Sequence, residues 1–201
     1  MSEVVGICGG SASGKTTLAH KLCNRIGEEY CSIISMDNYY IDFPASGINP
    51  ADVNYDQPES IDTELFISDI TDLKNGNTIH APAYNFTTHR REIYKSVIIP
   101  GKIIIVEGLF LYNSNRLAEI FDLKVFIDTP SDICLCRRII RDIESRDRSF
   151  KSVLNQYISQ VRPMYNKYVI PNRDMSDLIV NGECITDKDL DEIVMRMELI
   201  Q

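Results

Sequence analysis

No stretch of this sequence approaches the ~20 consecutive apolar residues that a membrane span requires, and no basic segment followed by an apolar core marks a secretory leader. Met1-Ser2-Glu3 leads straight into a first apolar run, so a cytoplasmic protein is expected. Basic excess is also missing. The formal net charge of -8 disfavours a general nucleic-acid surface or an anionic membrane as partner. Repeats at solenoid periods and low-complexity tracts are absent. The six cysteines, Cys8, Cys23, Cys31, Cys134, Cys136 and Cys184, form no Cys-x-x-Cys pair, and most lie in apolar stretches. That predicts buried free thiols in a reducing compartment rather than a zinc site or a disulfide framework. What remains is an ordinary soluble composition over 201 residues, 44% hydrophobic and 25% charged, expected to fold as one domain spanning 1–201.

Against this background one stretch stands out. Gly9-Gly10-Ser11-Ala12-Ser13-Gly14-Lys15-Thr16 fits the pattern G-x-x-x-x-G-K-[ST] at every fixed position. Val4-Val5-Gly6-Ile7-Cys8 precedes it as a buried parallel strand would, and the residues from Thr17 onward carry apolar positions at helical spacing as far as Ile26, with Gly27 as C-cap. Strand, glycine loop and helix is the arrangement in which backbone N–H groups and a helix N-terminus surround phosphate oxygens. Lys15 is then expected against the β- and γ-phosphates, with the Thr16 hydroxyl on Mg²⁺. A glycine-rich turn that binds nothing is the competing reading.

The rest of the chain alternates strands and helices. Cys31–Ser35 reads as a second strand and ends at Asp37, where α/β sheets bind ligands; the bland alternative is a turn or cap aspartate. Residues 41–55 are irregular, Asp56 is equally well a turn residue, and Ser60 is a candidate cap for a helix reaching Leu73. A hairpin insertion is expected over about 77–99, with Tyr84, Phe86 and His89 offering rings and hydrogen bonds to a planar ligand, or else forming an exposed ribbon. Lys102–Gly108 is an apolar strand ending in Glu107, an acid suited to orienting Mg²⁺. A short helix over 115–121 and a strand over 123–128 follow. The next helix carries Arg137, Arg138 and Arg141 and breaks into Ser145-Arg146-Asp147-Arg148. Five arginines in an acidic chain fit a lid over phosphates at about 138–150; the alternative is a solvated face paired with Asp142 and Glu144. A helix over 153–169 kinked or divided at Pro163 and ended by Pro171, a strand over 177–182 and a helix over 187–200 close the chain. The fold class expected is α/β, of the P-loop nucleoside triphosphate hydrolase type. It has three layers, a five-stranded parallel sheet and the inserted β-hairpin.

Several of these motifs, in this order, resemble the uridine kinases (uridine–cytidine kinases) of the phosphoribulokinase and uridine kinase group of P-loop kinases. The resemblance runs through Gly9–Thr16, Ser35-Met36-Asp37-Asn38-Tyr39-Tyr40, Tyr55-Asp56-Gln57-Pro58, Pro82–Arg91, Val106-Glu107-Gly108, Phe126–Thr129, Arg137–Asp142 and Val153–Tyr157. It implies transfer of the γ-phosphate of ATP or GTP to the 5′-hydroxyl of uridine or cytidine, with Mg²⁺ as cofactor and a small-molecule nucleoside as partner. Position by position, it implies Asp37 as the acid holding the 5′-hydroxyl, with Lys15 and Arg141 also in the catalytic set. Donor contacts fall to Gly9, Gly10, Ser11, Ala12, Ser13, Gly14, Lys15, Thr16 and Thr17, and to Arg146 and Arg148. Asp56 and Arg138 match ribose contacts, Tyr84 and His89 the pyrimidine edge, Tyr40 and Phe86 the pocket wall, and Gln156 a further nucleoside contact. Thr16, Asp37 and Glu107 match the magnesium set. A homotetramer is also implied.

Three positions depart from the group's pattern. Asn85 stands where Asp is usual, Cys134 where an arginine is usual, and Asp147 where a glycine separates two lid arginines. A side chain at 147 restricts the backbone and brings an acid among phosphate contacts. Two rival functions fit parts of the pattern: another small-molecule kinase acting on nicotinamide riboside, pantothenate or ribulose phosphate, or a non-catalytic nucleotide-dependent regulator.

Overall fold

A computed structural model describes residues 2–198, with the backbone alone described for Ala51, Ile93, Tyr94, Lys95 and Glu198. Five strands, β1 (Glu3–Gly9), β2 (Cys31–Ser35), β5 (Ile103–Gly108), β6 (Leu123–Asp128) and β7 (Leu178–Asn181), form one parallel sheet in the order β2-β5-β1-β6-β7. β3 (Ile79–Asn85) and β4 (Arg90–Ile98) pair antiparallel as a separate two-stranded hairpin. Its register slips between Ala81 and Ala83, where Pro82 has no N–H to give the ladder.

The sheet is covered on both faces, and side-chain alternation decides which residue meets which layer. From β1, Val5 and Ile7 point into a core with Leu18 and Leu22 of α1 (Lys15–Ile26) and Leu190 and Ile193 of α8 (Asp187–Glu198). Val4 and Cys8 point the other way, to Phe66 and Ile70 of α2 (Thr63–Lys74) and Leu117 of α3 (Asn115–Ala118). This is the three-layer α/β fold with a five-stranded parallel sheet. Burial pushes the Cys8 thiol up to about 12. All six cysteines are free, but Cys136 and Cys184 are exposed and Cys31 half-buried, so buried thiols describe only Cys8, Cys23 and Cys134.

Local chemistry moved several boundaries. Helix α2 starts at Thr63, because the Asp62 carboxylate caps it by accepting from Leu65 N; Ser60 instead donates to the Tyr55 and Gln57 carbonyls in a preceding turn. Gly27 does cap α1, donating its N–H to Cys23 O. The arginine helix is α4 (Ser131–Ser145). The long helix after it is one helical run in pieces: α5 (Phe150–Gln156), a π-helical turn Tyr157–Val161, α6 (Arg162–Met164), a second π-helical turn Tyr165–Val169, and α7 (Pro171–Asp174). The π turn absorbs Pro163, whose ring and missing N–H break the regular ladder. Pro171 does not end the run; it occupies the first position of α7, where its N–H is not needed. The closing helix α8 is described to Glu198, and the expected end at Ile200 lies outside the described residues. No helix among the described residues is long and apolar enough to cross a membrane.

Candidate active site

The glycine loop leaves the C-terminal end of β1 and enters α1, with Gly14 at φ 109 in the left-handed region that a side chain would resist. Lys15 is buried to 8% exposure and its Nζ donates to Gly10 O at 2.8 Å. Behind the loop, Glu107 at the end of β5 is 3% exposed; its Oε1 accepts from Ser35 Oγ at 2.6 Å and from Thr16 Oγ1 at 3.3 Å. Burial pushes the Glu107 carboxyl up, and the nearby Lys15 charge opposes that shift. The loop is pinned on its far side as well. Thr129 Oγ1 donates to Ser13 O at 2.8 Å, and Arg137 Nη1 reaches the same carbonyl at 3.5 Å while donating to Gly182 O after β7 at 2.9 Å.

Two cavities meet at this loop. The larger, about 420 Å³, is lined by Ser11, Ala12, Gly14, Lys15 and Thr16 of the loop, by Thr17, Glu107 and Arg137, and by Gly182, Glu183 and Ile185 after β7. The smaller, about 60 Å³, is lined by Tyr40, Tyr55, Asp56, Tyr84, Phe86, His89, Arg138, Arg146, Arg148 and Gln156. Asp37, Ser11 and Arg141 line both. The aspartate read from the end of β2 therefore stands at the junction, in a short 3-10 turn Met36–Tyr39.

The smaller cavity has an aromatic side and an ionic side. On the aromatic side, Tyr55 stacks on His89 with centroids 4.7 Å apart and planes at 24°, and Tyr84 Oη lies 3.3 Å from His89 Nδ1. His89 adopts φ 55 at the tip of the hairpin. The turn is held by Asp42, which accepts from Arg90 Nε and Arg91 N, and by Asp62, which accepts from Arg91 Nη1. Asn85 accepts from Thr87 N and Thr88 N at 2.9 and 3.0 Å. A neutral amide oxygen thus fills the turn-capping role open to an aspartate. Burial, then the charges of Arg148 and Arg146, hold the His89 imidazole below its usual value.

On the ionic side, buried Asp56 lies 3.5 Å from Arg138 Nη1, and its carboxyl is pushed up by burial while Arg138 holds it down. Arg138 Nη2 and Arg148 Nη1 both donate to Gln156 Oε1, at 3.2 and 3.1 Å, and Arg138 Nη1 reaches Ser11 Oγ at 3.1 Å. Arg146 stacks its guanidinium 3.7 Å over the Phe86 ring. Asp147 sits exposed at φ 52, in the left-handed conformation that glycine adopts freely and Asp tolerates better than most residues.

One arginine of the five departs from the expected roof. Arg137 turns away from Arg138 toward Gly182 O, because successive helix positions point about 100° apart. Sequence reasoning missed Ser35, Tyr55, Asp42 and above all Asp142, which is 1% exposed rather than part of a solvated face. The signal was there for Asp142 in the spacing Arg138, Asp142, Arg146, an i±4 row on one helix face.

A metal would find hard oxygen donors here in Thr16, Asp37 and Glu107, chemistry that suits Mg²⁺ arriving with nucleotide phosphates and waters. Among the described residues no group of three or more His, Cys, Asp or Glu forms an all-protein metal cage.

A sequence profile of the Phosphoribulokinase / Uridine kinase family matches residues 4–188. The chain belongs to this family. Within it, the chain is 38% identical to a uridine kinase of Borrelia hermsii over 190 residues, 94% of this chain and 91% of that one. It is 37% identical to a uridine kinase of Clostridium perfringens, over 88% of this chain and 85% of that one. Uridine-cytidine kinase A of Dictyostelium discoideum is 37% identical over 88% of this chain, which spans 35% of that longer protein. Among solved structures, D-glycerate 3-kinase from Cryptococcus neoformans superposes with a TM-score of 0.66 at 16% identity, covering 92% of this chain and 88% of that one. Phosphoribulokinase from Rhodobacter spheroides does so with 0.59 at 13% identity, covering 91% and 73%. At those identities the likeness is one of fold. What the two structures share with this family member is the α/β fold built on a parallel sheet.

Proposed function

We propose that this family member is a nucleoside kinase that transfers the γ-phosphate of ATP or GTP to the 5′-hydroxyl of uridine, cytidine or both. The observation that carries the reading is the position of Asp37, on the shared wall of a loop-lined cavity and a small aromatic cavity. A donor presented by the glycine loop and an acceptor held among Tyr84, His89, Asp56 and Arg138 would bring their reacting oxygens together beside that carboxylate. Asp37 orients the 5′-hydroxyl and accepts its proton, while Lys15 and Arg141 offset charge on the transferring group. Phosphoryl transfer asks mainly for such positioning and charge stabilisation. Thr16, Asp37 and Glu107 would hold Mg²⁺, which supplies charge neutralisation at the phosphates when bound. A neutral His89 beside Tyr84 offers both a donor and an acceptor to a pyrimidine edge.

The small cavity, about 60 Å³, is well below the ~300 Å³ at the low end of ligand pockets. On this reading the acceptor enters when the segment carrying Arg146 lifts from Phe86, with residues 138–150 acting as the lid. The names of the relatives favour a pyrimidine nucleoside over the other acceptors of the group. The test is a panel of uridine, cytidine, their deoxy forms, nicotinamide riboside, pantothenate and ribulose 5-phosphate with labelled ATP and Mg²⁺. Label in UMP or CMP supports the proposal; label only in another product, or in none, overturns it.

A further inference from the structure

Asp142 is among the most enclosed charged groups of the described residues, 1% exposed in the last turn of α4. Three guanidiniums surround it. Its Oδ1 accepts from Arg141 Nε at 2.9 Å and lies 2.8 Å from Arg141 Nη2. Arg146 Nη1 is 3.5 Å from the same oxygen, and Arg138 Nε faces Oδ2 at 3.4 Å. The carbonyl of Asp142 also accepts from Arg148 N at 3.1 Å, closing the turn that carries the last of these arginines.

These cations serve different sides of the site. Arg138 lies on Asp56 and Gln156, in the small cavity. Arg141 reaches Ser11 Oγ of the glycine loop at 3.4 Å and lines both cavities. Arg146 lies over Phe86. Three guanidiniums at such spacing repel one another, and burial together with the Arg141 charge already holds Arg146 below its usual value. Without a shared anion they would separate toward solvent, because unpaired buried charge is the costlier state.

We propose that Asp142 is the positioning residue of this site: its carboxylate holds the guanidiniums of Arg138 and Arg146, which line the small cavity, and that of Arg141, which lines both cavities, in one array before any ligand binds. Asp142 touches no reactant in this arrangement. It acts through the arginines, and it sets their net charge low enough that ATP phosphates, rather than stray anions, complete the array. The catalytic consequence rests on the kinase reading; the array in the free protein does not.

The test has three parts. In ¹⁵N spectra of the ligand-free wild-type protein, the Arg141 Nε–H should give a resolved, exchange-protected signal that is lost in Asp142→Asn. An Arg141 Nε–H that exchanges like an exposed arginine in the wild type overturns the proposal, and this part stands even if the variant does not fold. Inorganic phosphate, followed by thermal shift, should bind Asp142→Asn at least ~10-fold more tightly than the wild type, the sign expected when a counter-charge is removed; equal or weaker binding overturns it. In steady state, kcat of Asp142→Asn should fall at least ~30-fold, on the scale of losing one preorganised donor, with KM for ATP unchanged or lower. An unchanged kcat overturns it. A wild-type protein that phosphorylates no nucleoside sinks the kinase reading while the first two parts still decide the role of Asp142.

Discussion

Replacing Gly182 by Ala is the sharpest single test of how the glycine loop is held. A methyl group built there would lie 1.9 Å from Thr129 Oγ1, 2.5 Å from Ile127 Cγ2 and 2.5 Å from Ser13 O. None of these is the far end of a flexible side chain. Ile127 is in β6 and 1% exposed, Thr129 is 3% exposed, and Ser13 O is loop backbone. The added carbon must therefore break the 2.8 Å Thr129–Ser13 hydrogen bond and displace the loop. Overpacking of a well-filled site costs ~1–3 kcal/mol, and the lost buried hydrogen bond about 1 kcal/mol more. At ~2–4 °C per kcal/mol for a chain of this size, the melting temperature should drop by ~4–16 °C. Displacing the phosphate-binding backbone by even ~1 Å should raise KM for ATP or lower kcat by ~10- to 100-fold. Gly76→Ala is the control. Gly76 has φ 88 and nothing within 4 Å of its built methyl, so it should cost about 1 kcal/mol from backbone strain alone and leave ATP kinetics untouched. Scanning calorimetry and initial rates on both variants suffice. A Gly182→Ala protein as stable as the wild type, with unchanged ATP kinetics, would refute the packing argument.

Asp37→Asn should keep ATP and nucleoside binding within ~3-fold by calorimetry while kcat falls ~10²- to 10⁴-fold, the range for a lost general base; near-normal turnover removes Asp37 from its role. His89→Ala should raise KM for uridine at least ~10-fold, as for a buried hydrogen-bonding group, and leave KM for ATP alone; equal losses for both substrates make His89 structural. Because His89 is held below the usual imidazole value, its neutral form predominates at about pH 7 and above. Uridine KM should be flat over that range and rise only as the pH falls further; a rise already between pH 8 and 7 contradicts the assignment. Tyr112→Phe tests the core beneath the site. Its hydroxyl donates to Gly6 O at 2.7 Å and accepts from Val125 N at 3.1 Å, and removing it strands buried strand groups at a cost of ~1–3 kcal/mol. Denaturant unfolding should show that loss with kcat unchanged.

The parts of this protein legible in one dimension are those whose physics is local. A phosphate loop needs its glycines, lysine and threonine within eight positions, flanked by a strand and a helix, so Gly9–Thr16 carried its own context. Asp37 and Glu107 were readable because each ends an apolar strand, and in a parallel sheet those ends share one edge. The order of strands and helices followed from apolar periodicity, and the hairpin from a change in its texture. Helix limits were less legible, because a cap is a side-chain choice between neighbours such as Ser60 and Asp62, and a proline such as Pro163 can be absorbed by a wider helical turn.

Tertiary structure alone decided which charges share an environment. Gln156 Nε2 meets Asp56 at 3.5 Å across 100 positions of chain, a separation that no periodicity encodes. Arg137 and Arg138 are adjacent in sequence yet serve opposite sides of the glycine loop, one on Gly182 and one on Asp56. Asp142 shows the difference most plainly. Its spacing from Arg138 and Arg146 is visible in the sequence and fits a solvent-exposed ion-pair ladder equally well. Only the packing of α4 against the loop and the run that follows removes the water, and with it the screening that makes such a ladder nearly neutral in energy.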